Sequence, residues 1–189
     1  MWVKIRVIFM LVGMITLSIG ALGFKVAAAE DADEYKASDD LLKVLPFSKH
    51  SLDEGIKQAT QGTEVPISAK FEMDEGKLSL SVYAVDTKSN VFKEVSGVSD
   101  TQAWTPSSEV IKGGEDLEAA QNQWKVLSAS KFSLLDFIAK AQKDLPGTIL
   151  SVMPEIEGGK NLCGVRIVNQ GKVTEIHYDV ISGMKVDSE

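Results

Sequence analysis

Cys163, His177 and Asp179 are the residues of this sequence whose types could support covalent chemistry. A thiolate becomes a useful nucleophile when an imidazole stands beside it and a third group orients that imidazole. All three fall in neighbouring stretches that alternate apolar and polar residues, so adjacent strands would carry them. Parity separates them. Cys163 is in step with Val165 and Ile167, whereas His177 and Asp179 are out of step with Ile176, Tyr178 and Val180. Strand side chains alternate between two faces. If the apolar faces form the core, the thiol is buried and the imidazole is in water. A buried cysteine without a basic neighbour is an inert small hydrophobe. Thiol catalysis by Cys163 and His177 is therefore not expected, and no catalytic residue is assigned.

The other ligand types are equally sparse. His50 and His177 are the only histidines and lie far apart in the chain, with no paired-ligand spacing for a metal. The acidic runs Asp31–Glu34 and Ser38–Asp40 lack the following glycine of a calcium loop. Gly113 and Gly114 have neither a preceding strand nor a lysine-serine pair, so no phosphate loop is present. Asp179 has a structural role open to it: accepting backbone N–H bonds in a turn that leads to Gly183. No metal and no cofactor is expected.

The elements that must position these residues follow an export signal. Lys4 and Arg6 precede an uncharged apolar run from Val7 to Phe24, and Ala27, Ala28 and Ala29 supply the small residues of a cleavage site, with cut expected between Ala29 and Glu30. The alternative is retention of residues 7–24 as a membrane anchor, since the run approaches the roughly 18–20 residues that span a bilayer. Either way the folded part is exported, to the periplasm or the medium, and the membrane is met only through this segment. Of 20 basic residues, Lys4, Arg6 and Lys25 precede residue 30, so cleavage leaves 17 against 27 acidic residues, a net charge of −10. That surface repels phosphate backbones, and nucleic acid is not an expected partner. One cysteine excludes an internal disulfide.

Residues 30–46 begin as an acidic linker, in which Leu41, Leu42 and Leu45 suggest one helical turn stopped by Pro46. A first module spans residues 47–97. Ser51 and Glu54 have capping-box spacing, Leu52, Ile56 and Ala59 recur on one helical face, and two alternating strands follow around Gly76. A weaker third strand runs from Val91 to Val95. Residues 98–127 read as a connector and a linking helix with Leu117, Ala120, Trp124 and Leu127 on one face; Trp104 and Trp124 are read as core. The second module, 128–187, repeats the pattern. Ser133 and Asp136 restate the cap, Phe132 and Phe137 have staple spacing, and Leu134, Ile138, Ala141 and Leu145 form the stripe. Leu150, Val152, Pro154 and Ile156 then alternate in its first strand.

The duplication is explicit. At a shift of 82, Ser51, Leu52, Ile56 and Ala59 meet Ser133, Leu134, Ile138 and Ala141. At a shift of 83, Ile67, Ala69 and Glu72 meet Leu150, Val152 and Glu155, and Gly76-Lys77 meets Gly159-Lys160. Beyond residue 86 the register is lost.

The order of a capped Ser133-Leu134 helix, a hairpin turning at Gly159-Lys160, and a strand running through Gly171-Lys172-Val173 into Asp179-Val180-Ile181-Ser182-Gly183 resembles the PepSY domain. In the first module Lys93 and Gly97 stand for Asp179 and Gly183, and Gly55 and Phe137 stand where that family often has alanine. The resemblance implies an α+β fold, two cystatin-like modules each with a helix on a small antiparallel sheet. It also implies an envelope setting and a role as modulator of a peptidase or another envelope protein. The expected function is thus a non-enzymatic module that binds a protein or peptide partner. The alternatives are a self-associating structural protein and a carrier of a small ligand between helix and sheet.

Overall fold

The computed structural model describes residues 37–186. The export signal, its cleavage site at Ala29 and Glu30, and the start of the acidic linker lie outside the described residues. The fold is α+β, the described residues forming four α-helices on an eight-stranded antiparallel sheet.

The chain enters through α1 (Asp39–Val44), capped by Ser38, and a 3-10 turn at Leu45–Phe47. The end of the acidic segment is thus anchored, with Leu41 and Leu45 buried. The α-helical turn ends at Val44, with Leu45 as its C-cap immediately before Pro46. Pro46 itself sits inside the 3-10 turn near its start, where a missing N–H costs nothing. Helix α2 (Leu52–Ala59) follows, then β1 (Glu64–Asp74), β2 (Lys77–Asp86), β3 (Val91–Val98) and a short β4 (Ser107–Val110) within what reads in sequence as connector. Helices α3 (Gly114–Leu127) and α4 (Leu134–Asp144) lead to β5 (Thr148–Glu157), β6 (Lys160–Asn169), β7 (Lys172–Asp179) and the two-residue β8 (Lys185–Val186).

Strand order is β4-β3-β2-β1-β5-β6-β7-β8. Each half is a meander running outward from the centre, and the two small sheets expected from sequence are joined edge to edge as one. The join is short. Ala69 pairs with Val152 and Lys70 with Ser151. Ala69 and Val152 are also the positions that the 83-residue shift aligns, so the halves meet about a local two-fold at that pair.

The correspondence reaches the irregularities. β1 shifts register between Pro66 and Ser68, and β5 between Ile149 and Ser151, the equivalent places. Both capping boxes form: Ser51 with Glu54 and Ser133 with Asp136. The third strands also correspond, at a shift of 81, because Val82 pairs with Val95 as Val165 pairs with Ile176. Register is lost in the sequence because four residues link β2 to β3 and only two link β6 to β7. Asp179 consequently matches Val98, not Lys93.

One sheet face carries Ala69, Phe71, Leu80, Val82, Val152, Cys163, Val165, Ile176 and Tyr178, all buried. Helices α2 and α4 cover it. Gly55 lies so close to Leu80 that an added Cβ would stand 2.5 Å from a Leu80 methyl, which explains glycine there. Phe137 packs edge-on to Phe132 at 5.8 Å and against Tyr178 at 6.0 Å. Helix α3 crosses the opposite face over the seam, where the Ser68 hydroxyl donates to Gln123 Oε1 at 2.7 Å. Its buried residues are Ala120, Val126 and Leu127, while Leu117 and Trp124 are only half-buried. Trp104 is core, its Nε1–H donating to the Gly97 carbonyl. Two further residues depart from the expected stripes. Ile156 is 52% exposed, because it lies at the hairpin end of β5, and Leu145 leaves α4 as an extended C-cap, half-buried.

Phe137 is fully buried at the meeting of α4, its staple and β7. Phe137→Ala is expected to lower the unfolding free energy by about 3–5 kcal/mol, read from urea denaturation.

Candidate functional site

Cys163 and His177 sit on adjacent strands but on opposite sheet faces. Cys163 pairs with Tyr178 under α4 and is fully buried, while His177 pairs with Gly164 and points to the α3 face. Burial, and then the charge of Glu155, push the thiol far above its ordinary range. The structure brings no base to it. Asp179 is engaged as a turn residue: its Oδ1 accepts from the Ser182 N–H at 2.7 Å, the Ile181 N–H at 3.2 Å and the Ser182 hydroxyl at 2.8 Å. These bonds, the Ser182 N–H foremost, hold its carboxyl below the usual range.

His50 lies in the first half, its Nε2 2.9 Å from the Thr101 carbonyl. Gly113 and Gly114 open α3, whose first turn holds Glu115 and Asp116, the wrong charge for a phosphate. Ser38 caps α1, and Asp40 pairs with Lys43.

The imidazole of His177 is not simply in water, as parity alone suggests. Its side chain is 21% exposed and lies among carboxylates from β5 and β7. Nε2 is 3.0 Å from Glu155 Oε1, 3.6 Å from Glu175 Oε1 and 3.7 Å from Glu157 Oε2. The Arg166 guanidinium closes the other side, 3.1 Å from Glu175 Oε1. The contact to Glu155 is close in distance but out of line for a hydrogen bond, so its attraction is chiefly electrostatic. Among the described residues no other donor reaches that buried oxygen.

Gly164 is the floor of this cluster. A Cβ there would lie 2.6 Å from Glu155 Oε1 and 2.9 Å from Glu175 Oε1. Any side chain at 164 would drive the three groups apart. The first half supplies the contrast, since its equivalents of Glu155, Gly164, Glu175 and His177 are Glu72, Ser81, Glu94 and Ser96. There the Ser81 hydroxyl occupies the floor and donates to Glu72 Oε1 at 2.6 Å. The cluster is built in one half only.

Interaction with Glu155 and then Glu175 outweighs burial and pushes His177 up to about 10. Glu175 is opposed by burial, but His177 and Arg166 together hold it below the usual carboxylate range. Glu155, Glu175 and His177 each present a ligating atom, all within 4.8 Å of one another. Sequence spacing missed them because they come from two strands separated by a third. The signal present was the glycine at 164, an unexplained gap in a strand of large residues.

Between α2, α4 and the sheet the space is filled: Leu80, Val82, Leu134, Phe137 and Val165 are fully buried. A surface cleft of about 430 Å³ lies instead where the end of α4 meets β7 and β8, bordered by Asp144, Leu145, Ile176 and Lys185. At the far edge of the sheet, β4 pairs with β3 alone among the described residues. Ile111 donates to the Phe92 carbonyl, so residues 107 and 109 also turn their amides inward and Ser108 and Val110 turn theirs outward. All four β4 residues are exposed. Among the described residues no helix is long and apolar enough to cross a membrane.

No family model matches the chain, and no curated protein matches it. Among solved structures it is similar to a protein of Clostridium difficile 630 proposed to be a lipoprotein. The TM-score is 0.40 and the identity 16%, over 75% of this chain and 93% of that one.

Two results are expected. Because His177 is raised from 6.5 to about 10 on folding, its stabilising contribution is complete below about pH 6.5 and is lost as pH rises through about 10. In chelator-treated protein His177→Gln should flatten that decline in urea unfolding; an unchanged slope would contradict the assignment. Cys163 should resist a water-soluble thiol reagent until the chain is unfolded by denaturant.

Proposed function

We propose that the protein is a non-catalytic binding module of the cell envelope that holds an extended segment of a protein partner on its β4 edge. The observation carrying this reading is the outward-facing backbone of Ser108 and Val110 on a terminal strand whose outer edge pairs with no other strand among the described residues. An added strand would satisfy those groups and gain a backbone ladder at no cost in refolding. The filled space under α2 and α4 speaks against carriage of a ligand there. The separation of Cys163 from His177 removes the thiol reaction their types suggest. The export signal at residues 1–29 and the resemblance to PepSY domains supply the setting, periplasmic or secreted, and a peptidase or another envelope protein as the class of partner.

Affinity capture from envelope extract with mass spectrometry would identify the partner, and amide NMR on the labelled protein would locate its contact. Shifts should concentrate at Ser107–Val110 and their β3 neighbours. Ser108→Pro removes an outward N–H without touching the β3 ladder, a position where an edge strand tolerates proline. It should abolish capture while leaving the fold intact. Amide shifts confined to helix residues, or capture unchanged in Ser108→Pro, would overturn the reading.

A further inference from the structure

We propose that Glu155, Glu175 and His177 form a binding site for a divalent transition-metal ion of the Zn²⁺ class. Zn–N and Zn–O bonds of about 2.0–2.2 Å at tetrahedral angles place ligand atoms roughly 3.3–3.5 Å apart. His177 Nε2 already stands 3.0 Å from Glu155 Oε1 and 3.6 Å from Glu175 Oε1. Two of the three donor pairs thus stand within a few tenths of an ångström of tetrahedral spacing, and all three donor atoms lie within 4.8 Å of one another. One imidazole nitrogen with two carboxylate oxygens is a borderline donor set, suited to Zn²⁺ or Mn²⁺ more than to Ca²⁺.

Three further observations point to a ligand. Glu155 Oε1 is buried with no hydrogen bond among the described residues and faces His177 Nε2 at 3.0 Å, so an ion about 2 Å from each would take the place of the imidazole proton. Gly164 keeps the floor of the site clear, where a Cβ would meet both carboxylates. The equivalent place in the first half has Ser81 and Ser96 for Gly164 and His177, and its floor is closed by a serine-carboxylate hydrogen bond. Position 164 has thus been kept open where the imidazole is present and filled where it is absent.

Charge also matches. With a neutral imidazole, the carboxylates of Glu155, Glu157 and Glu175 less the guanidinium of Arg166 leave two negative charges beside the ligating atoms, which one divalent cation neutralises. Arg166 stands 3.1 Å from the same Glu175 oxygen, Oε1, so that oxygen would be shared between the guanidinium and the ion. Glu157 Oε2, 3.7 Å from Nε2 on a largely exposed side chain, is in reach as a fourth ligand. An ion here would tie β5 to β7 across β6.

The test is titration of the chelator-stripped full chain with Zn²⁺ alone, by calorimetry or competition against a chromogenic chelator. One equivalent per chain is expected, with Ca²⁺ much weaker. Glu155→Gln and His177→Gln should each weaken Zn²⁺ by about tenfold or more, with unchanged circular dichroism. Absence of stoichiometric binding, equal affinity for Ca²⁺, or full affinity in His177→Gln would overturn the proposal. Should His177→Gln fail to fold, ¹⁵N spectra of the histidine rings in the unmodified chain decide the matter. Zn²⁺ should move the His177 Nε2 resonance and leave His50 in place; movement of His50 alone would overturn the site.

Discussion

The whole sheet depends on a seam of two residue pairs, Ala69 with Val152 and Lys70 with Ser151. So short a ladder holds little by its own hydrogen bonds, each of which contributes only about 1 kcal/mol net. It persists because both sides of it are covered. On one face the small side chain of Ala69 lets the apolar residues of the two halves merge under α2 and α4. On the other, α3 lies across the join and the hydroxyl of buried Ser68 finds its partner in Gln123. The seam fixes how the two halves sit side by side, while the face on which His177 emerges is set by the pairing of β7 with β6.

Much of this was legible in the sequence. The caps at Ser51 and Ser133, the helix stripes, the turns at Gly76 and Gly159 and the alternation of strand faces are local patterns. They need only residue type and spacing. Parity alone placed Cys163 inside and His177 outside. What stayed hidden was non-local. The edge strand β4 has no apolar alternation because all of it is exposed, so nothing marks it off from a connector. The third strands correspond through turns of unequal length, which defeats alignment at a constant shift.

The Glu155–Glu175–His177 cluster was hidden for a similar reason. Its members are neighbours only after β5, β6 and β7 pair, and Glu155 and Glu175 look in sequence like the polar side of ordinary strands. Gly164 was the readable trace. In a strand whose neighbours Cys163 and Val165 are both fully buried, a residue without a side chain marks a place where something else must approach. Comparison of the halves then separates scaffold from site, since they share bulges, caps and hairpins and differ at the floor and the imidazole.

The local two-fold at Ala69 and Val152 carries a consequence of its own. A surface that meets its own equivalent about a two-fold axis is an isologous interface, the kind by which identical subunits form closed dimers. Here the two subunits are consecutive stretches of one chain, so the dimer is internal and its partner is always present. Such an arrangement releases one copy from the demands of symmetry. The second half carries a histidine above a bare glycine where the first carries serines, and the contact that joins them is untouched by that difference.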